Sequence, residues 1–167
     1  MFCFTDLRRY VLILALGLWV GGFTFYALIV LPASHDVLGD RFTSGLITRG
    51  VTIWLNRLGV VAILFMFCDM LASRRNGCRW VTATLFVAWL VVAGSHIEIS
   101  VLHLKLSGLI DGGQIADAAS FRSIHTFYER VSTVQWVACL VFLAFSLLAW
   151  RRSDSSVESR DASPHST

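Results

Sequence analysis

The stretch FRSIHTFYERVSTVQW, residues Phe121–Trp136, runs into the block Val131–Trp150, which contains no charged residue. At a helical pitch of about 100° per residue, several side chains of this stretch fall on one side of a helix. They are Phe121, His125, Glu129, Ser132 and Trp136. A polar stripe that continues into a helix of bilayer length can face lipid only at a high cost in free energy. We therefore expect it to meet polar groups inside a bundle, to line a wet cavity or to bind a ligand.

The composition places the chain among membrane proteins. Of its 167 residues, 56% are hydrophobic and 15% are charged, and the mean hydropathy is +0.67. Soluble domains carry about 25% charged residues, so this chain is too apolar for that class. The net charge of +3 comes from scattered Lys and Arg residues. This argues against nucleic acid as a partner, because a clustered basic face is expected for such binding.

Four apolar segments are each long enough to cross a bilayer, which takes about twenty residues. The predicted spans are residues 10–31, 51–72, 80–102 and 128–150. The first is interpreted as an anchor, because its apolar run is too long for a signal peptide and no convincing cleavage site follows. The sequence thus predicts an all-α membrane protein, a four-transmembrane-helix bundle in domain 1–152. The Ser-rich tail 153–167 is predicted to be disordered.

Basic residues close to the span ends predict the orientation. Arg8-Arg9, Arg74-Arg75-Arg79 and Arg151-Arg152 all fall on one side of a chain with four spans. The positive-inside rule puts that side in the cytoplasm. Both termini are therefore predicted to be cytoplasmic, with the two longer connections outside.

Gly17 and Gly21 form a GxxxG pair in the first span. Small residues at this spacing let another helix approach closely. Helix packing within this chain is the favoured interpretation, and pairing with a second copy is the alternative.

Ionisable residues concentrate at the outer end of the predicted bundle, and the inner end has no comparable group of histidines. They are His35 after the first span, Arg57 in the second, His96, Glu98 and His103 at the end of the third, and His125, Glu129 and Arg130 at the start of the fourth. This one-sided cluster is the strongest functional signal in the sequence.

Five of these residues are candidate metal ligands: His35, His96, His103, His125 and Glu129. His96 and His103 are separated by about 10.5 Å of helical rise, which is too far for both to bind one ion. A metal site would therefore combine one of them with ligands from another segment. His125 and Glu129, four residues apart, could share an ion directly. A haem held between two helices would take one histidine from each, which makes His96, His103 and His125 the candidate cofactor ligands.

Structural ion pairs are the favoured alternative for the same residues. Glu98 would pair with Arg57, and Glu129 with Arg122 or Arg130, which would determine the order of the helices. A further alternative is a proton-coupled transporter subunit that uses Glu98 and Glu129. Catalytic signatures such as a Walker loop, HExxH or GxSxG do not occur. The sequence therefore favours a protein that is not an enzyme, and it assigns no catalytic residue.

Three segments carry a resemblance to known proteins. Leu18–Pro32, LWVGGFTFYALIVLP, is similar to the first helix of copper-resistance D membrane proteins and of a related uncharacterised bacterial family with human transmembrane relatives. Val51–Gly59 and Phe121–Trp136 resemble the second and fourth helices of that four-helix family. An Arg or Asn near the second helix and a Phe-x-x-x-His before the last helix are typical there. The resemblance covers most of residues 10–150.

The resemblance implies a four-helix protein of the bacterial inner membrane without an assigned reaction, and it suggests copper handling. Only His125 and the pair Asn56-Arg57 correspond by position to residues typical of the family. The chain departs from a copper carrier because Met66 and Met70 lie away from the outer cluster. Thioether ligands favour Cu(I), so their position argues against that metal.

The sequence therefore predicts a membrane binding or accessory subunit with a polar pocket at the outer leaflet. The pocket would be built from Arg57, His96, His103, His125 and Glu129. The first alternative is a redox or metal-handling protein that binds copper or haem b, and the second is the proton-coupled subunit. The expected partners are the lipid bilayer and either a second copy of the chain or a larger membrane complex.

Overall fold

The computed structural model describes residues 4–39, 41–73, 78–111, 114–115 and 117–161. Within these ranges, four helices are long and apolar enough to cross a membrane. They are α1 (Phe4–Leu38), α2 (Arg41–Ser73), α3 (Arg79–Gly108) and α4 (Ala118–Asp161). The two-residue strands β1 (Ile110–Asp111) and β2 (Gln114–Ile115) pair antiparallel between α3 and α4. The predicted four-helix membrane fold is confirmed.

Each predicted span lies inside a longer helix. The first connection is much shorter than the sequence indicated, because α1 continues to Leu38 and α2 begins at Arg41. Gly39 ends α1 with a φ of 60°, a left-handed conformation that glycine adopts without strain, and its N–H donates to the carbonyl of His35 at 3.1 Å. Arginines 74 and 75, which belong to the basic group used for the predicted orientation, lie outside the described residues.

The last helix is also longer than predicted. It continues from the fourth span to Asp161, so residues 153–161 are helical where a disordered tail was expected. Arg9 of α1 holds this extension through two hydrogen bonds to the Asp154 carboxylate, of 3.0 and 2.8 Å. A contact between the two ends of the chain is not visible in local composition. Residues 162–167 lie outside the described part of the chain.

An apolar core runs along the centre of the bundle and is built by all four helices. Leu12 of α1, Met66 of α2, Val92 of α3 and Phe142 of α4 are almost completely buried. The outward faces are also apolar, as Leu64 shows with 60% of its side chain exposed. Exposed apolar faces on every helix suit contact with lipid, because the hydrocarbon of a bilayer is as apolar as these side chains.

The arginine-flanked end of the bundle is held by a network that we call the arginine clasp: Arg8, Arg9, Asp69, Trp150 and Asp154. Asp69 lies near the end of the second predicted span, and its side chain is fully buried. Its Oδ1 lies 3.1 Å from Nε of Arg8 and accepts a hydrogen bond from Nε1 of Trp150 at 3.2 Å. Arg9 packs over the Trp150 ring and pairs with Asp154. The clasp therefore joins α1, α2 and α4.

Helix α1 contains two π-helical turns, Gly17–Gly21 and Tyr26–Val30. Each turn carries one buried aromatic residue, Trp19 in the first and Tyr26 in the second. A π turn inserts an extra residue into a helix and rotates the side chains that follow it. The two turns thus direct both rings toward the inside of the bundle.

The prediction that Gly17 and Gly21 mediate packing within this chain is wrong. A Cβ atom built on either glycine would meet nothing within 4 Å. The neighbouring Gly22 instead faces α2, where its Cβ would lie 3.3 Å from Leu55. The π turn that starts at Gly17 changes the face on which the following glycines lie, which a spacing rule for regular helices does not take into account.

Candidate functional site

A cleft of about 300 Å³ opens between α1, α2 and α4, at the end of the bundle opposite the arginine clasp. Five aromatic residues line it: Trp19, Phe23, Tyr26, Tyr128 and Trp136. The polar lining consists of Thr48, Thr52, Asn56, His125, Glu129, Ser132, Thr133 and Gln135. The remaining lining is apolar. The stripe predicted on α4 thus faces this cleft at four of its five positions.

Helix α1 forms one wall of the cleft and is attached to its neighbours by side-chain hydrogen bonds. The Tyr26 hydroxyl donates to Oγ1 of Thr48 on α2 at 2.6 Å. On the other edge, Nε1 of Trp136 on α4 donates to Oγ1 of Thr24 at 2.9 Å. These bonds hold the π-helical part of α1 in a defined position between α2 and α4.

His96 supports the cleft from behind and does not line it. Its ring lies edge-on against Trp19, with the ring centroids 5.7 Å apart, and only 7% of the residue is exposed. Nε2 of Gln135 lies 3.4 Å from Nδ1 of His96 and donates to the carbonyl of Val92 at 3.3 Å. The ring also hydrogen-bonds the backbone of Asn56. His96 therefore positions three residues that do line the cleft.

Gly59 makes this arrangement of rings sterically feasible. A Cβ atom at this position would lie 2.7 Å from Cε1 of His96 and 2.7 Å from two ring atoms of Trp19. Both rings are buried and have little room to retreat. Only a residue without a side chain can occupy this position while the two rings keep their places.

The inner wall of the cleft carries the hydroxyl groups of Thr52, Tyr128 and Ser132. The Tyr128 hydroxyl interacts with Thr52 on α2 and with Ser132, one turn further along α4. Ser132 is 5% exposed, and its Oγ makes no hydrogen bond of acceptable geometry to any described group. A buried hydroxyl without a partner costs about 1–3 kcal/mol. A ligand atom or a water molecule in the cleft would remove that cost.

His125 and Glu129 form the mouth of the cleft. Nδ1 of His125 lies 3.4 Å from Oε1 of Glu129, and the two side chains are 47% and 63% exposed. Phe121 stacks on His125 with its ring centroid 5.9 Å away. An exposed pair of this kind contributes little to stability, so both groups can exchange partners when a ligand approaches.

The other predicted pocket residues lie elsewhere. Arg57 is exposed and places its guanidinium 4.8 Å from the ring centroid of Trp54. His103 is half-buried near Arg49, and His35 is exposed in the last turn of α1. Of the five residues predicted to build the pocket, only His125 and Glu129 line the cleft. Residue spacing places a side chain on a face of its own helix, but the rotation of that helix decides whether the face meets the cleft.

The ion pairs also differ from those expected. Among the described residues, the three pairs are Arg8–Asp69, Arg9–Asp154 and His125–Glu129. Glu98 and Arg130 are exposed, and neither joins Arg57 or Glu129 in a pair. Glu129 instead pairs within its own helix, one turn away.

The candidate histidines do not come together around one site in the part of the chain that the structure describes. Across the described ranges, no three His, Cys, Asp or Glu side chains come close enough together to hold a metal ion. His96 is enclosed by Trp19 and Gln135 and approaches Gly59 closely, so its ring has no open side for a porphyrin. Of the other two candidates, His125 is exposed at the mouth of the cleft and His103 is half-buried near Arg49. The predicted ligands are therefore separated by the packing of the helices.

A second, larger hollow of about 860 Å³ lies on the opposite face of α4. Its lining comes from α4 alone and includes Arg122, Thr126, Phe127 and Arg130. A hollow lined by one helix and open to its surroundings cannot enclose a small molecule. The cleft between three helices is therefore the better candidate for a binding site.

Ser132 lies on the predicted stripe, but the sequence analysis missed the cleft hydroxyls of Tyr26, Thr48 and Thr52. Thr48 and Thr52 are one turn apart on α2, and Tyr26 lies inside the first apolar span. Hydroxyls at helical spacing inside apolar spans were the available signal. It is weak, because such groups also bond to the backbone of their own helix, as Thr24 does to the carbonyl of Val20 at 2.7 Å.

Comparison of the chain with protein-family models, with curated proteins and with solved structures gave no match. The similarity to copper-resistance D membrane proteins therefore stays a prediction. The function is inferred from the geometry of the cleft and from the membrane-spanning fold.

Proposed function

We propose that this integral membrane protein is a non-enzymatic binding or accessory subunit of the bacterial inner membrane, with the cleft as its ligand site. In this proposal both termini lie in the cytoplasm and the cleft opens near the outer leaflet. The distribution of arginines supports the orientation, because Arg8, Arg9, Arg79, Arg151 and Arg152 all lie at the end opposite the cleft.

The observation that carries the proposal is a set of inward-facing polar groups from three helices around one enclosed space. Thr52 comes from α2, Tyr128 and Ser132 come from α4, and Trp19 and Tyr26 close the space from α1. Small-molecule sites are typically concave and mostly apolar, with a few polar groups that orient the ligand, and they occupy about 300–1,000 Å³. The cleft has this composition and lies at the lower end of that size range.

The residues of the cleft suggest a division of roles. The aromatic rings supply flat apolar contact, and the hydroxyls of Tyr128 and Ser132 orient a polar group of the ligand. His125 and Glu129 at the mouth control the charge that an entering molecule meets. Glu98, one of the two carboxylates of the proton-coupled alternative, lies on the exposed surface of α3, so that alternative is not proposed here.

Binding is tested with the full chain purified in mild detergent and examined by native mass spectrometry. Thr133→Trp fills the cleft from an exposed position on α4, and Thr126→Trp makes the same change on the opposite face. We expect a retained small-molecule or lipid adduct in the wild type and in Thr126→Trp, and its loss in Thr133→Trp. An adduct that Thr133→Trp leaves unchanged, or no adduct in any form, would contradict a ligand site in the cleft.

Orientation is tested with reporters fused after residue 167. We expect green fluorescent protein to fluoresce there and alkaline phosphatase to be inactive, because the former folds in the cytoplasm and the latter only in the oxidising periplasm. The reverse pattern would place the cleft at the inner leaflet and refute the proposed orientation.

A further inference from the structure

The formal charge in the lining of the cleft is of one sign. Among the described residues that line it, the carboxylate of Glu129 is the only formally charged group, and none of them is a Lys or an Arg. His125 adds a positive charge only when it is protonated. Arg122 and Arg130 belong to the same helix as Glu129 but line the hollow on its opposite face. Arg57 of α2 stacks on Trp54 outside the cleft.

The aromatic content of the cleft adds to this charge. Rings from α1 and α4 line it on facing sides, with Tyr26 on one side and Tyr128 and Trp136 on the other. The face of an aromatic ring carries negative electrostatic potential and attracts a cation within about 6 Å of the ring centroid. The rings and the carboxylate therefore favour the same sign of charge in a ligand.

We propose that the ligand of the cleft is an organic cation, either a protonated amine or a quaternary ammonium group. This inference rests on the proposed binding function and names the chemical class of its ligand. An anionic ligand would meet Glu129 without a basic partner in the lining. A neutral ligand would use the apolar contacts but gain nothing from the carboxylate or from the ring faces.

The polar groups inside the cleft suit a cationic head as well. The buried Oγ of Ser132 makes no hydrogen bond of acceptable geometry to a described group, and Ser132 lines the cleft together with Tyr128 and Thr52. Its oxygen can accept a hydrogen bond from an N–H of a protonated amine. Glu129 at the mouth is the first group that an entering cation would meet, and the rings replace part of its hydration further inside.

The test uses choline and its uncharged carbon isostere 3,3-dimethylbutan-1-ol, which have nearly the same shape and differ in charge. Binding of each to the full chain is measured by isothermal titration in nanodiscs of phosphatidylglycerol. Several ring contacts with a desolvated cation correspond to roughly a five- to thirtyfold difference in affinity. We therefore expect choline to bind more tightly than the isostere by a factor in that range.

Variants of cleft residues test whether the preference for choline over its isostere depends on the cleft. Tyr128→Leu and Glu129→Gln should each weaken choline binding roughly three- to tenfold and leave the isostere unchanged. Arg130→Gln, on the same helix but outside the cleft, should change neither affinity. Equal binding of choline and the isostere, or a charge preference that survives both cleft variants, would overturn the cationic ligand.

The outcomes distinguish this inference from the binding function itself. If choline does not bind but Thr133→Trp still removes a native adduct, the cationic ligand is refuted and the binding function stands. If choline does not bind and no adduct is found in any form, both fail. Repeating the titration in nanodiscs that contain phosphatidylethanolamine identifies the source of the cation. Competition by that lipid indicates a lipid headgroup, and unchanged choline binding indicates a soluble amine.

Discussion

Replacing Gly59 by alanine tests the packing behind the cleft most directly. The new Cβ would lie 2.7 Å from ring atoms of both Trp19 and His96, and real Cβ atoms essentially never approach other atoms so closely. Trp19 is 5% exposed and His96 is 7% exposed, so neither ring can move away into open space. Overpacking of this kind costs about 1–3 kcal/mol, and two stiff rings favour the upper part of that range.

A matched control separates the clash from the effect of alanine on the helix. Alanine in place of glycine in a helix contributes about 0.5–1 kcal/mol of stability. Gly94 lies in α3 with nothing within 4 Å of a built Cβ, so Gly94→Ala should gain that amount without a clash. The net expectation is that Gly59→Ala is about 1–2 kcal/mol less stable than the wild type. Gly94→Ala should be at least as stable as the wild type.

The assay is reversible unfolding of the full chain in mixed detergent micelles with increasing sodium dodecyl sulfate, followed by tryptophan fluorescence. A smaller side chain at the contact should relieve the clash, so Gly59→Ala combined with Trp19→Leu should show a favourable coupling energy of about 1 kcal/mol or more. If Gly59→Ala is as stable as Gly94→Ala, the close approach of the two rings is not a feature of the folded protein and the reasoning fails.

Three other perturbations test the remaining interactions. Asp69→Asn should lower the free energy of unfolding by about 2–3 kcal/mol in the same assay, which is less than for a fully buried pair because its partner Arg8 is 20% exposed. Asp154→Asn should lower it by under about 1 kcal/mol, because the Asp154 side chain is 62% exposed. Equal losses for the two variants would contradict the clasp. Tyr26→Phe should cost about 1 kcal/mol through its lost bond to Thr48, and no loss would mean that this bond is not formed. A hydrogen bond from the Ser120 side chain, together with those from the first amides of α4, lowers the pKa of Asp117. Its capping contribution is therefore complete above its ordinary value of 3.8 and disappears as the pH falls through the lower folded-state pKa. Hydrogen exchange of those amides should therefore increase in acid, and Asp117→Asn should remove this pH dependence while it keeps the cap; a dependence that persists in Asp117→Asn would refute it.

The membrane-spanning helices could be predicted because their signal is local. A run of about twenty apolar residues is a property of one segment, and each of the four predicted spans lies inside a helix. The ends were harder to predict, because polar residues such as Asp36 and Asp154 continue helices that apolar content alone would end. Composition predicts where a helix enters lipid but not how far it extends beyond it.

The candidate site was predicted only in part. His125 and Glu129 lie on the stripe of α4 that lines the cleft. Arg57 and His103 were assigned to the same pocket because they lie at a similar depth, but their helices turn them to other surroundings. Depth along the membrane follows from the position of a residue in its span. The direction around the helix axis depends on the rotation of each helix and on the π turns of α1.

The sequence by itself determined that this chain has four helices long and apolar enough to cross a membrane, because the free energy of placing an apolar segment in hydrocarbon is a sum over neighbouring residues. The tertiary structure alone decided which polar groups meet. Asp69 pairs with Arg8, and His96 packs on Trp19 beside Gly59, through contacts between helices that are distant in the chain. The reason is physical: a helical repeat specifies the face on which a side chain lies, and only the packing of the four helices against one another specifies what that face touches.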